Sequence, residues 1–248
     1  MAYLLDSEWD AAGKKFYETG VDHGVLFPYH SSASHDTNYY DGVAWNGLTT
    51  VTQSPSGAEA NDIYADNIKY LSLRSAEQFG GTIEAYTYPD EFAKCDGSIE
   101  IVSGVIASQQ AREKFGFSYR TRIGNDAKGD DYGYKIHLIY GCSVNPSEKS
   151  YQTVNDSPEA ITFSWELSTE PVPTKINNVE YRPIAHLEID STKFTTTEQK
   201  AALAAFEQIL YGTPATTGAN PTPAVQPYMP LPADVVSALT VAQGGGSE

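Results

Sequence analysis

The stretch that decides the fold runs from Lys114 to Tyr140: KFGFSYRTRIGNDAKGDDYGYKIHLIY. In its first third, Phe115, Phe117, Tyr119 and Ile123 share one parity, and Ser118, Arg120 and Arg122 share the other. In its last third, Tyr134, Ile136, Leu138 and Tyr140 alternate with Lys135, His137 and Ile139. Period-two alternation is the mark of a half-buried strand. The segment between, GNDAKGDD, carries Gly124, Asn125 and Gly129, residue types that take positive φ at low cost. The spacing therefore predicts a β-hairpin with a charged tip. Asp126, Asp130 and Asp131 around a glycine superficially suit calcium, but not in the spacing of a helix–loop–helix site, and a charged turn is the commoner origin of such a cluster.

Outward from this hairpin the same period recurs. ITFSWEL places Ile161, Phe163, Trp165 and Leu167 on one face, and TIEAYTY, SIEIVSGVI and YRPIAHLEI read as further strands. The fold class expected is mainly β (α+β), an antiparallel sandwich or barrel with one flanking helix. That helix is TTTEQKAALAAFEQILYG, expected over about 196–211. Thr195 and Glu198 form its capping box, Leu203, Phe206, Ile209 and Leu210 its apolar stripe, and Gly212 its terminator. Residues 1–212 read as one domain. Residues 213–248 read as a Pro/Thr/Ala-rich linker and tail, whose apolar element Val235, Val236 and Leu239 suggests a clip to a neighbouring molecule.

Composition narrows the function. There are 32 acidic against 16 basic residues, a formal net charge of −16, so adhesion to nucleic acid is disfavoured. The opening residues lack the basic start and apolar run of a signal peptide, and no window is apolar enough to span a membrane. A soluble protein with two free thiols, Cys95 and Cys142, is expected.

Catalytic motifs are lacking. TIEAYTYPDEFAKCDGS gathers Glu84, Asp90, Glu91 and Asp96, but Pro89, the two following acids, Lys94 and Gly97 are what a short helix needs at its two ends. No group nearby would split the pKa values of a carboxylate pair. The five histidines show no metal or protease spacing, and neither nucleophile elbow nor phosphate loop is present. No cofactor, metal or enzymatic activity is expected. What remains are two long polar segments, HSSASHDTNYYDGVAWNG and VTQSPSGAEANDIYADN, longer than ordinary loops. Aromatic residues in such loops are typical interface anchors. Tyr39, Tyr40, Trp45 and Tyr64, with Asp66, Asn67, Asp126 and Asp130, are the candidates for contacts between subunits or rings.

Several phrases in order along the chain, among them YETGVDHGVLFP, WNGLTTVTQSPSGAE, TIEAYTYPDEFAKCDG, FGFSYRTRIGND and NDSPEAITFSWELST, resemble the major tail (tail tube) proteins of bacteriophages with long, non-contractile tails. The resemblance runs from about Glu18 to Tyr211. It implies a structural virion protein, made in the host bacterial cytoplasm, whose hexameric rings stack into a tube that conducts DNA during ejection. Neighbouring inner-sheet strands would then join edge to edge, and the long loops would order against the next subunit. The implied partners are other copies of the chain, a tape measure protein inside the tube, terminator and distal tail proteins at its ends, and DNA that passes without adhering. Glu84 is the acid expected to face the lumen. The alternative is a β-sandwich module that binds carbohydrate or a host surface through exposed Tyr and Trp.

Overall fold

The computed structural model describes residues 5, 9, 11–30, 38–153, 156, 159–217 and 222–240. His35 and the rest of the Ser-rich segment at 31–37 lie outside them. The chain is mainly antiparallel β with two helices, as its alternation predicts. Its strands are β1 (Phe16–Pro28), β2 (Val43–Trp45), β3 (Leu48–Gln53), β4 (Ser56–Gly57), β5 (Ala60–Ala65), β6 (Ile68–Arg74), β7 (Glu77–Gln78) and β8 (Gly80–Ala85). They continue with β9 (Ile99–Val102), β10 (Val105–Ala107), β11 (Phe115–Asn125), β12 (Gly129–Val144), β13 (Phe163–Thr169), β14 (Val172–Ile176), β15 (Val179–Ile184) and β16 (His186–Asp190). The helices are α1 (Thr197–Tyr211) and α2 (Pro232–Leu239).

One sheet runs in the order β2-β1-β11-β12-β13-β8-β3, with β16 paired to the remaining edge of β12. Its two terminal strands, β2 and β3, are separated in the chain only by Asn46 and Gly47. A sheet whose first and last strands are joined by two residues must curl round on itself, so this part is a barrel. Where β3 passes β1, Gly24 leaves the space: a Cβ there would strike the Leu48 side chain and approach the Trp45 carbonyl oxygen.

The barrel interior is aromatic. Trp45, Phe92, Phe115, Phe117, Tyr119 and Trp165 are buried there with Ile83, Ile139, Cys142 and Leu167. Trp45 meets Phe92 with ring centroids 4.5 Å apart, and its indole N–H donates to the Thr87 carbonyl at 2.9 Å. Phe92 is carried by the turn of 3-10 helix Asp90–Lys94, with Pro89 as its N-cap, Asp90 and Glu91 in the first turn and Lys94 in the last. Gly97 follows at φ 75°, so the charges of this stretch are those of a short capped helix whose one buried side chain plugs the barrel. Cys95 and Cys142 pack inside, and burial pushes both thiols up, Cys95 to about 12, so neither is a nucleophile at neutral pH.

The opposite face of β1, β11, β12 and β16 is covered by α1 and α2. Phe206, Leu203 and Leu210 of α1 bury against Val25, Phe27, Ile136, Leu138 and Tyr140. The capping box of α1 is Thr196 with Gln199, one residue later than the Thr195–Glu198 pairing expected, because the Gln199 side chain reaches back to accept from the Thr196 N–H at 3.1 Å.

The segment after Gly212 is not a free linker. Met229 is fully buried, its N–H donates to the Tyr39 carbonyl at 3.2 Å, and the Pro230 carbonyl accepts from the Tyr140 hydroxyl at 2.9 Å. In α2, Val235 is buried in the chain's own core, with Val236 and Leu239 half-buried beside it. The expected clip to a neighbour is thus a strap folded on its own subunit. Prolines suit it, since an extended segment that lies across a core needs few N–H partners.

Below the middle of β12 a bulge changes the register, so that Ile139 and Cys142 both enter the barrel while Tyr140 points to α1. Gly141 makes this bulge at φ 60°, where a Cβ would collide with the Glu170 carbonyl oxygen. We predict that Gly141→Ala costs about 2–4 kcal/mol, combining positive-φ strain with a backbone clash. Gly104→Ala, at φ 82° with open space around it, should cost only about 1 kcal/mol. Urea unfolding of both variants checks the difference, and equal midpoints would refute the role assigned to Gly141.

Candidate assembly interface

β12 is sixteen residues long and outruns the barrel. It pairs with β11 on one side from Gly129 to Cys142 and with β16 on the other from Lys135 to Ile139, and β11 pairs in turn with β1. This leaves a four-stranded extension, β1-β11-β12-β16. Among the described residues, the outer edge of β1 from Phe16 to Asp22 and the outer edge of β16 pair with no strand. Open edges on a flat sheet are templates for pairing with another chain.

Register decides what each face of this extension carries. Arg120 lies opposite Ile136, and Arg122 opposite Tyr134, so both arginines share the face covered by α1. Asp22 gathers them: its carboxylate accepts from Arg120 Nε at 2.7 Å and Nη2 at 3.1 Å, and from Arg122 Nε at 3.2 Å. Burial alone would raise the Asp22 carboxyl. The hydrogen bonds from Arg120 and His23, with the charge of Arg120, overcome it and hold the group at about 2.

The helix-free face carries Glu18, Thr121, Lys135 and Glu188. Lys135 Nζ pairs with both Glu18 and Glu188, the latter at 3.0 Å, and Asp190, opposite Lys135 on β16, shares this face with its carboxylate bonded to Thr192. Farther along the same face, His137 and His186 meet edge on: Nδ1 of the first is 3.2 Å from Nε2 of the second, with ring planes 8° apart. One imidazole N–H is shared between them. The Thr121 hydroxyl bonds the other nitrogen of His137 at 3.1 Å, and Glu188 stands 3.9 Å away. Tyr119 and Phe79 stack on the outer sides of the pair. Burial, then the neighbouring His186, pushes His137 down to about 4, and burial lowers His186 too.

Three arms leave the body. The longest replaces what the sequence presents as a polar loop. β3 to β8 form one ribbon, with β3–β8, β4–β7 and β5–β6 stacked along a common register from Leu48↔Ala85 to Ala65↔Ile68. Asp66 and Asn67 make its tip, both at positive φ, as a two-residue hairpin turn requires. The ribbon is therefore built within the subunit. It exposes Ile63, Tyr64, Ile68, Tyr70 and Leu73. The second arm, β9–β10, has only exposed aliphatics: Ile99, Ile101, Val102, Val105 and Ile106. The third, β14–β15, turns at Asn177–Asn178 and exposes Val179 and Tyr181. Apolar surface on two-stranded ribbons has no core of its own to enter.

Against this frame the expected interface residues divide. Tyr64, Asp66 and Asn67 are exposed on the longest arm. Tyr39 and Trp45 are core residues, 3% and 2% exposed, because the barrel closes over Trp45 and the strap over Tyr39. Tyr40 is half-buried against Tyr228. Asp126 accepts from the Gly13 N–H at 2.9 Å and Asp130 from the Tyr17 hydroxyl at 2.8 Å, so both tie the start of the chain to the β11–β12 tip. No cluster of potential metal ligands is present among the described residues. Glu84 lies on the outer face of β8, between Thr50 and Ser164, outside the open-edged extension; the helix-free face there carries Glu18, Glu188 and Asp190. The β9–β10 patch was signalled in SIEIVSGVI by apolar residues at both parities, which one buried face cannot absorb. No protein-family model matches the chain, and no curated protein matches it.

The histidine pair gives a pH dependence. Between about pH 6.5 and about 4 the unfolded chain takes up a proton at residue 137 that the folded chain refuses. Stability therefore falls as pH is lowered through that window and levels below it. The loss is on the order of 2 kcal/mol, allowing for water at the rim of the pair. Asp22 adds a further loss only between its ordinary value of 3.8 and about 2. We predict that His137→Gln flattens the slope between pH 6.5 and 4 in urea titrations; an unchanged slope would sink the assignment.

Proposed function

We propose that the chain is a self-assembling structural subunit, the tail tube protein of a long-tailed bacteriophage, whose rings of six stack into a conduit for DNA. The observation that carries this reading is the four-stranded extension with both edges open and one face free of helix. Copies joined β1 to β16 would continue the sheet from subunit to subunit and remove both open edges of the extension when the ring closes. The helix-free face would then turn inward, presenting Glu18, Glu188 and Asp190 beside Lys135. A bore with surplus carboxylates repels the phosphate backbone and lets DNA slide without adhering.

The apolar arms support the same reading, since each needs a surface outside its own subunit. The outer part of the longest arm also differs in charge from the body. The ribbon from Ala60 to Arg74 carries Asp62 and Asp66 against Lys69 and Arg74, a neutral segment in a chain of net −16. A neutral apolar tip is a part of such a chain able to approach another copy. On this reading the other partners are a tape measure protein within the bore and capping proteins at the tube ends, and the protein resides in the virion. No catalytic step or cofactor is part of it. The carbohydrate-binding alternative rests on exposed Tyr and Trp; of these, Tyr64 is exposed on the ribbon and Trp45 lies in the barrel core.

Negative-stain microscopy of the purified protein at rising concentration should show rings or tubes of uniform width with sixfold end views, whereas compact monomers throughout would count against the reading. Cutting the ribbon back to Gly57 and Glu77 with an Asn-Gly turn should leave the barrel folded, with its thermal midpoint within a few degrees of wild type. Assembly should be lost. A shortened chain that still forms tubes would remove the arm from the interface.

A further inference from the structure

The chain has five arginines, and three have partners: Arg120 and Arg122 bond Asp22, and Arg112 donates to the Asp96 carbonyl oxygen. The other two, Arg74 and Arg182, have no ion-pair or hydrogen-bond partner among the described residues, and both line one groove of about 910 Å³ between the root of the ribbon and β14–β15. Phe79, Tyr181, Pro183 and Ile184 supply its apolar wall. Glu77 lines it too, beyond ion-pair distance of either guanidinium. Unpaired guanidinium groups beside aromatic and proline surface form a site for a segment that combines carboxylates with a large apolar anchor.

The start of the chain has that chemistry. Leu5 and Trp9 are 51% and 63% exposed, and the Trp9 N–H donates to the Leu5 carbonyl at 3.1 Å. Side chains four positions apart across such a bond lie side by side. Asp6, Glu8 and Asp10 are interleaved with them in sequence. We propose that the Leu5–Asp10 segment of a second copy docks in the Arg74–Arg182 groove, with Trp9 on its apolar wall and the acids on the guanidinium groups.

Reach excludes the chain's own groove. Gly13 is fastened at the β11–β12 tip, where its N–H donates to Asp126 and its carbonyl accepts from Asn125 Nδ2, each at 2.9 Å. Trp9, four positions earlier, stands at most about 14 Å from that anchor. The groove is at the other end of β12: His186, on its rim, lies opposite Ile139, ten positions from Gly129 at the tip. That separation is about 33 Å at the rise of an extended strand. A segment from another molecule has no such limit. The contact joins two different surfaces of the same chain, so it is head to tail and propagates into a ring or a stack. It rests on the self-assembly reading for its partner, and it deepens that reading by naming both halves of one contact.

Charge exchange in the full-length chain tests this. Arg74→Glu with Arg182→Glu, and separately Asp6→Lys with Glu8→Lys and Asp10→Lys, should each raise the concentration for half-assembly at least tenfold in sedimentation velocity. The five changes combined should restore it to within threefold of wild type. In parallel, a labelled peptide of residues 1–12 should bind the wild-type chain by fluorescence anisotropy, bind at least tenfold more weakly to the Arg74→Glu/Arg182→Glu chain, and weaken as salt is raised. If assemblies form and neither reversal affects them, the docking contact is overturned while the self-assembly reading stands. If the chain stays monomeric but binds the peptide through the two arginines, the groove assignment stands and the tube reading falls. Monomers that ignore the peptide overturn both.

Discussion

The constraint on which the rest of the structure depends is the two-residue link between Trp45 and Leu48. It joins the first and last strands of a seven-strand path, so the sheet has no choice but to curl, and Trp45 is carried inside as it does so. Burying a Trp side chain stabilises by roughly 3 kcal/mol or more, and here it sits within an aromatic set of Phe92, Phe117 and Trp165. The Asp90–Lys94 turn follows from the same closure: a barrel of this size has open ends, and Phe92 fills one of them.

Closure also explains why the open edges occur where they do. β12 is too long for the barrel that its lower half completes, and its upper half emerges as a sheet with β1, β11 and β16. Inside the barrel the strands between β2 and β3 in the path each have two partners, and β2 runs straight into β3; beyond it β1 and β16 each have one. One face of the extension is sealed by α1 and by the Asp22–Arg120–Arg122 network, which keeps both arginines away from the other face. The division of charge between the faces is thus a matter of register. Arg120 and Arg122 share the side of Ile136 because Ile123 pairs with Gly133 beyond the irregularity next to the turn, and an odd shift there would send them to the opposite side.

Particular residues show where reading the sequence succeeded. Phe115, Phe117, Tyr119, Trp165 and Leu167 enter the barrel as their alternation predicts, and Leu203, Phe206 and Leu210 of α1 are buried as the helical period predicts. Tyr39 and Trp45 are core residues that local composition places in loops, for a definite reason. They stand among Ser, Asn, Asp and Gly, where local composition says loop, and what buries them is contributed from far away in the chain: Met229 and Tyr140 for one, Phe92 and Trp165 for the other. The ribbon was hidden in the same way. SPSGAEANDIYADN lacks an apolar face because most of the ribbon is exposed on both sides, and backbone pairing leaves no hydrophobic period to detect.

The sequence by itself determined the class of the fold, the central hairpin, the main helix, the inert cysteines and an acidic surface. Each follows from periodicity, turn chemistry or composition, which act over a few residues or over the whole chain at once. Only the tertiary structure decided that the sheet closes, that the strap belongs to its own subunit, that Glu18 and Glu188 rather than Glu84 occupy the face of the open-edged sheet, and that Arg74 and Arg182 meet in one groove. Those are long-range pairings. Local alternation says which side chains share a face of a strand, and the register between distant strands says what that face looks upon.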